Sequence, residues 1–226
     1  MNARGVVTGA SRGLGLALTR ALADRGWRLA VDARDGEALE RAVGGLDGVV
    51  AVAGDIADPE HRRRLVEAAG GPIDLLVNNA SVLGATPLPG LADYPLEELR
   101  RAYEINVLAP LALVQLALPH FAGDARIVNI TSDAAVDAYS GWGGYGSSKA
   151  ALAQLTAVLG VEHPGLRVYA VDPGDMRTQM QQEAFPGEDI SDRPLPEESV
   201  PGLLALIEGA APSGLYRARD VVGVSA

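Results

Sequence analysis

The chain has 226 residues, of which 48% are hydrophobic, and it carries a formal net charge of −10. A chain of this length fits one globular domain covering residues 1–226, because chains usually divide into domains only beyond roughly 250 residues. The absence of cysteine excludes disulfides and thiolate chemistry, and the acidic balance argues against nucleic acid as a partner, since it offers no basic stripe for a phosphate backbone.

Apolar runs of strand length alternate with helix-period segments along the chain. The expected strands are residues 5–8, 27–31, 49–52, 73–77, 126–130 and 166–171, and the first two expected helices are residues 14–25 and 37–43. This alternation is typical of an α/β fold in which helices flank both faces of one doubly wound parallel sheet. The ligand site of such a sheet lies beyond the carboxyl ends of its strands.

The sequence predicts no membrane segment. The residues before the first expected strand do not form a signal peptide, and no apolar run reaches the roughly 18 residues that a spanning helix requires. We therefore expect a cytoplasmic protein with no membrane partner.

The alternating pattern breaks after the strand at residues 166–171. A polar segment that carries Met176, Met180 and Phe185 predicts a mobile substrate flap at about residues 174–195. A helix is expected at residues 197–208, and residues 214–216 can supply a last edge strand.

Glycines recur as G-x-x-x-G-x-G directly after the first strand, at Gly9, Gly13 and Gly15. Glycine lets the backbone turn tightly and approach a pyrophosphate, whose charge is met by the free N–H groups of a helix N-terminus. A glycine-rich turn without any ligand is the alternative, because short glycine patterns also occur in unrelated turns. The position between a strand and a helix favours a nucleotide.

The end of the second strand bears on which nucleotide binds. An NAD enzyme places a carboxylate on the ribose 2′-hydroxyl there, whereas an NADP enzyme offers arginine to a 2′-phosphate. Arg34 and Arg12 could converge on one phosphate, while Asp32 and Asp35 are the competing carboxylates. We favour NADPH (NADP⁺) as the cofactor, with NADH as a possible alternative.

Tyr145 and Lys149 are four residues apart at the start of an expected helix, so they share one face with Cβ atoms about 5–6 Å apart. A nearby ammonium stabilises a phenolate and brings the pKa of a tyrosine toward the working range. The alternative is a surface tyrosine with an unrelated lysine. Against it, Lys149 is the single lysine among 19 basic Lys and Arg side chains, and an arginine fork cannot replace a compact ammonium.

Ser132 follows the strand at residues 126–130, which places its hydroxyl at the carboxyl edge of the sheet. A strand-end serine that only caps a turn is equally common. Position alone therefore leaves both interpretations open.

Taken together, these residues resemble the short-chain dehydrogenase/reductase family over nearly the whole chain. The motifs that agree in order and spacing are Thr8 to Gly15, Asp55-Ile56, Asn78-Asn79-Ala80, Ser132 with Tyr145-x-x-x-Lys149, and Asp172-Pro173-Gly174 leading to Thr178. The resemblance implies a Rossmann-like sheet and a homodimer or homotetramer. It also implies an enzyme that reduces a small carbonyl compound.

The family resemblance further implies a role for individual residues. Asn106, Ser132, Tyr145 and Lys149 would form a catalytic tetrad in which Tyr145 donates a proton to the substrate oxygen, Ser132 positions that oxygen, and Asn106 holds a water connecting Lys149 to solvent. The implied cofactor contacts are Gly9, Ser11, Arg12, Gly13, Leu14, Gly15, Arg34, Asp55, Ile56, Asn79, Ala80, Tyr145, Lys149, Pro173, Gly174 and Thr178. Asp55 and Ile56 would line the adenine, and Thr178 would hold the nicotinamide carboxamide.

The substrate is less constrained by the sequence. The pocket is expected to include Ser81, which stands where the family usually has glycine, together with Leu83, Tyr139 and Trp142. The aromatic pair suits a flat or apolar group, although both rings could serve packing alone. The alternatives to a reductase are an NAD-dependent alcohol dehydrogenase and a cofactor-sensing module without turnover.

The remaining titratable groups predict no further site. His61, His120 and His163 lack metal-ligand spacing, so we expect ordinary surface histidines and no metal. The run Arg62-Arg63-Arg64 is expected to lie on a solvated helix face.

Overall fold

The computed structural model describes residues 3–221, and within this range the strands form one parallel sheet in the order β3-β2-β1-β4-β5-β6-β7. The strands are β1 Arg4–Val7, β2 Arg28–Ala33, β3 Val49–Ala53, β4 Ile73–Asn78, β5 Phe121–Ile130, β6 Arg167–Asp172 and β7 Gly214–Arg217. The predicted doubly wound α/β fold is therefore confirmed. The assignment of residues 1–226 to one domain stays a prediction, and residues 1–2 and 222–226 lie outside the described residues.

Helices connect the strands across both faces of the sheet. They are α1 Gly13–Ala23, α2 Gly36–Val43, α3 Pro59–Ala68, α4 Leu96–Tyr103, α5 Ala109–Ala117, α6 Gly143–Glu162, α7 Gln179–Ala184, α8 Val200–Glu208 and α9 Ala218–Val221. A π-helical turn at Glu104–Leu108 joins α4 to α5. One core packs α1, α2 and α8 on one face, and a second core packs α3 and α5 on the other.

The sheet is buried because its strands are apolar on both sides. Val6 and Val7 in β1 and Leu75 and Leu76 in β4 have no exposed surface, and each pair divides between the two cores. Successive side chains of a strand point to opposite faces, so a strand between two helical layers must be apolar throughout.

The strand order reverses beside β1, which pairs with β2 on one side and β4 on the other. Such a switch point opens a crevice beyond the carboxyl ends of the strands. The fold therefore places the segments that follow β1, β2, β4, β5 and β6 around one cleft.

Most elements differ from their expected bounds by only one or two residues, and two differ by more. β5 begins at Phe121, five residues before the expected start at residue 126, because an irregular register joins Phe121 to Ile73 across a bulge. A 3₁₀ turn at Pro196–Glu198 precedes α8, which begins at Val200.

The sequence holds no unbroken apolar run of roughly 18 residues, but one helix of the structure is long and apolar enough on average to be a candidate span. The continuous helical stretch Leu96–His120 has a window of mean hydropathy 1.3, and by length and composition alone it could cross a membrane. Half of that window is buried inside the protein, where α5 packs on α3. The core helix of a globular fold has the same composition because it contacts the sheet and neighbouring helices.

Candidate active site

The glycine motif forms the turn between β1 and α1. Gly9 and Gly13 have φ values of 71° and 57°, a backbone region that side chains disfavour. Gly15 is required by packing, because a Cβ there would lie 2.3 Å from the Gly9 carbonyl oxygen. The first turn of α1 has no side-chain cap, so its backbone N–H groups remain available to an anion.

The segment after β4 closes against this turn. The Thr8 hydroxyl oxygen accepts hydrogen bonds from the backbone N–H groups of Asn79 and Ala80, at 2.9 and 3.0 Å. The Asn79 side chain donates to the carbonyl oxygen of Thr8 at 2.8 Å. These bonds hold the two motifs side by side.

A cavity of about 1320 Å³ runs along the carboxyl edge of the sheet. It extends from Arg34 and Asp35 at one end to Trp142 and Phe185 at the other. Every site residue predicted from the sequence lines it except two, Gly15 and Asn106, which lie behind its wall. The cavity also includes Asp32, Asp133, Asp172 and Gln179, which the predicted site did not contain.

The end of β2 carries the charged groups that bear on nucleotide choice. Arg34 is exposed and lines the cavity. Asp35 caps α2 by accepting a hydrogen bond from the Ala38 N–H at 3.0 Å. Asp32 is only 1% exposed and accepts a 2.7 Å hydrogen bond from the Gly9 N–H. The two carboxylates named as competitors of Arg34 are therefore both engaged by the protein.

The prediction of surface histidines was wrong for His61. This side chain has no exposed surface, and its Nε2 lies 2.9 Å from Asp32 Oδ2. Arg62 was likewise expected on a solvated face but is 7% exposed, and it donates to the Ile56 carbonyl oxygen at 2.6 Å. Helix α3 packs against β2 and β3, so its inner face meets polar groups that no local pattern reveals.

Asp55 lies on the same side of the cavity as Arg34. One oxygen accepts a 2.9 Å hydrogen bond from the Ala57 N–H, and the other pairs with Arg101. Burial acts to raise the pKa of Asp55, but the Ala57 hydrogen bond and the Arg101 guanidinium outweigh it and hold the pKa below its usual value.

Tyr145 and Lys149 occupy the first turns of α6 and face the cavity. Lys149 Nζ donates to the carbonyl oxygen of Ile130, the last residue of β5, at 2.8 Å. It lies 5.5 Å from the centre of the Tyr145 ring. Burial lowers the pKa of Lys149 to about 7, so both of its protonation states are accessible near neutral pH.

The pKa of Tyr145 moves opposite to the sequence expectation. Burial raises it, and the carboxylates of Asp172 and Asp133 raise it further, while hydrogen bonds with the Ser132 and Ser81 hydroxyls act to lower it. Burial disfavours the charged form of each group, so it raises the pKa of Tyr145 and lowers the pKa of Lys149. Tyr145 is therefore protonated across the neutral range.

Ser132 is held by the residue that follows it. Its hydroxyl donates to Asp133 Oδ1 at 2.9 Å and accepts from the Ala134 N–H at 3.2 Å. The other Asp133 oxygen accepts a 3.1 Å hydrogen bond from the Tyr139 hydroxyl. Ser132 therefore caps a 3₁₀ turn and also lies within hydrogen-bonding reach of Tyr145.

Asn106 sits within the π-helical turn and is completely buried. Its side-chain oxygen accepts from the Val82 N–H at 2.9 Å, and its Nδ2 donates to the Val82 carbonyl oxygen at 2.8 Å. The same Nδ2 donates to Ser148 Oγ at 2.9 Å, and Ser81 donates to the Asn106 oxygen at 3.1 Å. The amide is thus fully occupied by protein groups, and the side chain itself has no remaining position for a water.

The far end of the cavity is apolar. The Trp142 ring lies 5.7 Å from Tyr145 and 5.9 Å from Phe185, centre to centre. Leu83 and Met180 pack in the same cluster. The segment predicted as a flap thus contributes Met180 and Phe185 to the wall around Tyr145.

The flap segment also reaches the cofactor end. Thr178 caps α7 by accepting a 3.2 Å hydrogen bond from the Gln181 N–H. A Cβ built on Gly13 would lie 3.6 Å from the Thr178 methyl group, so Thr178 lies against the glycine turn. Arg12 donates to the Gln179 side chain, which directs this arginine toward α7.

No cluster suited to a metal ion occurs in the part of the chain that the structure describes, where no group of three or more His, Asp or Glu side chains converges.

Comparison with known proteins gives consistent findings. A family model described as short chain dehydrogenase matches residues 5–189. The chain is 34% identical to 2-(R)-hydroxypropyl-CoM dehydrogenase of Xanthobacter autotrophicus, over 84% of this chain and 81% of that protein. It is 32% identical to the benzil reductase ((S)-benzoin forming) of Bacillus subtilis, over 78% of this chain and 75% of that protein.

Solved structures match over nearly the full length. The KRED1-Pglu enzyme superposes with a TM-score of 0.86 and 32% identity, covering 95% of this chain and all of that one. A putative short chain dehydrogenase from Escherichia coli CFT073, crystallised with NADPH, has a TM-score of 0.87 and 26% identity, with 97% of this chain and 98% of that chain covered.

Proposed function

This chain belongs to the short-chain dehydrogenase/reductase family, whose members are NAD(P)-dependent oxidoreductases acting on alcohol and carbonyl groups, and we propose that it reduces a ketone or aldehyde with NADPH. The observation that carries the proposal is the convergence of Ser132, Tyr145 and Lys149 on the cavity that the glycine turn enters. A proton donor and a dinucleotide cradle thus share one cleft.

The described residues fit a dinucleotide. Gly9 and Gly13 of the glycine turn line the cavity, and Gly15 behind them lets α1 pack against the Gly9 carbonyl, where a Cβ would lie 2.3 Å from the oxygen. The first turn of α1 offers uncapped N–H groups to a pyrophosphate. Asp55 and Ile56 would line the adenine, and Asn79 and Ala80 would border the rest of the cofactor. Bound there, the nicotinamide supplies a hydride to the substrate carbonyl carbon.

Arg34 favours NADPH over NADH. At the end of β2, Arg34 is exposed and lines the cavity, whereas Asp32 is buried and bonds Gly9. Asp35 is also exposed to the cavity, and its Oδ1 caps α2. A 2′-phosphate gains charge-assisted hydrogen bonds from a guanidinium. The structural neighbour crystallised with NADPH is consistent with this preference.

Tyr145 acts as the proton donor. Its raised pKa keeps the phenol protonated at neutral pH, and the proton passes to the substrate oxygen as that oxygen gains negative charge. The phenolate left behind is stabilised by Lys149 in its ammonium form. The Ser132 and Ser81 hydroxyls add to this when they turn from Asp133 and Asn106 to donate to the phenolate. A proton from solvent then restores the phenol.

Asn106 acts as a positioning residue. Its Nδ2 holds Ser148, whose hydroxyl in turn donates to the Tyr145 carbonyl oxygen at 2.6 Å. The amide thus ties the π-helical turn to the first turns of α6. These hydrogen bonds fix the position of Tyr145 and Lys149 relative to the carboxyl end of β5.

We expect the substrate to carry a flat or apolar group next to its carbonyl. The wall around Tyr145 is formed by Leu83, Trp142, Met180 and Phe185, which favours aryl or branched alkyl groups. The relative named benzil reductase supports an aromatic ketone.

The family resemblance extends to assembly and location. We propose a cytoplasmic homodimer or homotetramer, formed by residues 1–226 as one domain with a flap at 174–195. Exposed apolar side chains in the π-helical turn that holds Asn106 and in α6, which holds Tyr145, support a contact between copies: Leu108 is 51% exposed, Val158 42% and Val161 82%.

The decisive experiment follows NADPH oxidation by absorbance with aryl ketones, 1,2-diketones, aliphatic aldehydes, quinones and 3-oxoacyl thioesters. Tyr145→Phe is expected to abolish turnover. Tyr169→Phe is the matched control, because it removes the hydroxyl of another buried tyrosine, one that bonds the Ala211 carbonyl oxygen away from the cavity. Equal turnover by Tyr145→Phe and the wild type would overturn the proposal.

A further inference from the structure

The buried pair of Asp32 and His61 is not used by the chemistry of the active site. Asp32 is the next-to-last residue of β2, and its two oxygens are engaged from opposite sides. Oδ1 accepts from the Gly9 N–H at 2.7 Å, and Oδ2 lies 2.9 Å from His61 Nε2. Both side chains are almost completely shielded from solvent, at 2% and 0% exposure.

The ring of His61 is held in one orientation. His61 Nε2 and Asp32 Oδ2 share one hydrogen bond, which fixes the edge of the ring that faces β2. Nδ1 is buried and has no hydrogen-bond partner among the described residues. The ring packs directly on Gly54, where a Cβ would lie 2.2 Å from Nδ1, so the absence of a side chain at Gly54 creates the space that the imidazole fills.

This pair lies at the edge of the predicted adenosine site. Asp32, Gly54 and Arg34 all line the cavity. A carboxylate at the end of the second strand is the group that binds the ribose hydroxyls of NAD and repels a 2′-phosphate. Here the Asp32 carboxylate bonds Gly9 and His61, while Arg34 faces the cavity. The neighbouring Asp35 is exposed to the cavity as well, but its Oδ1 is held by the Ala38 N–H at the start of α2.

We propose that His61 is a specificity-determining residue that selects a 2′-phosphorylated adenosine by holding the Asp32 carboxylate away from the ribose. The inference rests on the proposed use of NADPH and gives a structural reason why NADPH is preferred over NADH. Preference for the phosphate comes from the removal of a competing acid as well as from the presence of Arg34. His61 contacts neither the reacting atoms nor the phosphate, and acts through Asp32.

The test measures binding rather than turnover. Calorimetry gives the dissociation constants of 2′,5′-ADP and 5′-AMP, which differ by the 2′-phosphate, and their ratio is insensitive to general damage that weakens both. In His61→Leu the carboxylate loses its buried donor, and the preference for 2′,5′-ADP should fall at least tenfold. In His61→Gln, whose amide can still donate to Asp32, the ratio should stay near that of the wild type.

The double variant His61→Leu/Asp32→Asn separates the carboxylate from simple loss of packing. The asparagine amide carries no charge and does not repel a 2′-phosphate, so the preference for 2′,5′-ADP over 5′-AMP should return. His120→Leu serves as the control, since His120 is exposed and lies at the other end of the sheet. If His61→Leu does not fold, His61→Ala takes its place, because the smaller side chain leaves room for water at the carboxylate.

An unchanged ratio in a folded His61→Leu or His61→Ala protein overturns the inference and leaves the proposed reductase intact. A wild-type protein that binds both nucleotides equally overturns the inference and the NADPH preference together. Carbonyl reduction by the wild type, together with the described changes in the 2′,5′-ADP to 5′-AMP affinity ratio among the His61 variants, supports the proposed function and the inference.

Discussion

Ser132 Oγ donates a 2.9 Å hydrogen bond to Asp133 Oδ1, so the serine at the end of β5 directs its single proton to the carboxylate that follows it. A serine hydroxyl has one proton to donate. Asp133 therefore competes with Tyr145 and with a substrate oxygen for the same donor.

Asp133→Asn should change the pH dependence of the reaction. The Asp133 carboxylate contributes to the raised pKa of Tyr145, so its removal lowers that pKa. An asparagine amide can also donate to Ser132, which frees the serine proton for the phenolate and acts in the same direction. In the proposed mechanism the loss of the Lys149 proton, whose pKa is about 7, sets the first alkaline decline, and the loss of the phenol proton sets a second decline at higher pH. That second decline should begin at lower pH in the variant. The measurement is kcat/KM against pH, and an unchanged second decline would contradict the prediction.

Lys149 should make the stability of the protein depend on pH. Its pKa is lowered to about 7 in the folded protein and is about 10.4 in an unfolded chain. Between these values the unfolded state binds more protons, so the free energy of unfolding rises with pH by up to about 1.4 kcal/mol per pH unit.

Urea unfolding between about pH 8 and pH 9.5 measures this slope, because the interval lies below the normal titration of tyrosine. Lys149→Met, which retains an unbranched apolar chain, should lose the rise and also lose turnover. The same slope in both proteins would show that Lys149 is charged when folded.

Gly15→Ala should destabilise the protein and disrupt the dinucleotide cradle. The added Cβ would lie 2.3 Å from the Gly9 oxygen and 2.5 Å from Asn79 Nδ2, and forcing extra volume into such packing costs about 1–3 kcal/mol. Gly45→Ala is the matched control, because no heavy atom lies within 4 Å of its added Cβ. Urea unfolding and 2′,5′-ADP binding are measured for both variants. The prediction is contradicted if Gly15→Ala and Gly45→Ala have the same free energy of unfolding and the same affinity for 2′,5′-ADP.

Arg34→Ala should weaken binding of 2′,5′-ADP by about 10- to 100-fold, since hydrogen bonds to charged groups contribute about 1.5–3 kcal/mol. Binding of 5′-AMP should change little. Arg41→Ala provides the comparison, because Arg41 is an exposed arginine of α2 whose ion pair with Glu37 faces solvent. An equal loss for both nucleotides would indicate that Arg34 contacts the adenosine or a different phosphate.

Much of the fold could be predicted because its signals are local. The strands are short apolar runs whose burial requires no knowledge of the partner, and only their ends moved, as with β2, which continues to Ala33. The spacing of Tyr145 and Lys149 follows from the helical repeat alone. Polar residues interrupt Leu96–His120 in the sequence, so it contains no long apolar run and only its mean hydropathy as a helix makes it a candidate span.

The sequence by itself determined the parallel sheet, the glycine turn and the group of side chains proposed for catalysis, because each depends on the chemistry and period of neighbouring residues. Only the tertiary structure decided the state of the charged groups. Asp32 of β2 bonds His61 of α3, and Asp55 after β3 pairs with Arg101 of α4. These partners are far apart in sequence, so no local pattern predicts the contacts or their packing. Burial within that packing, rather than residue type, sets which carboxylates face the cavity and where Tyr145 and Lys149 titrate.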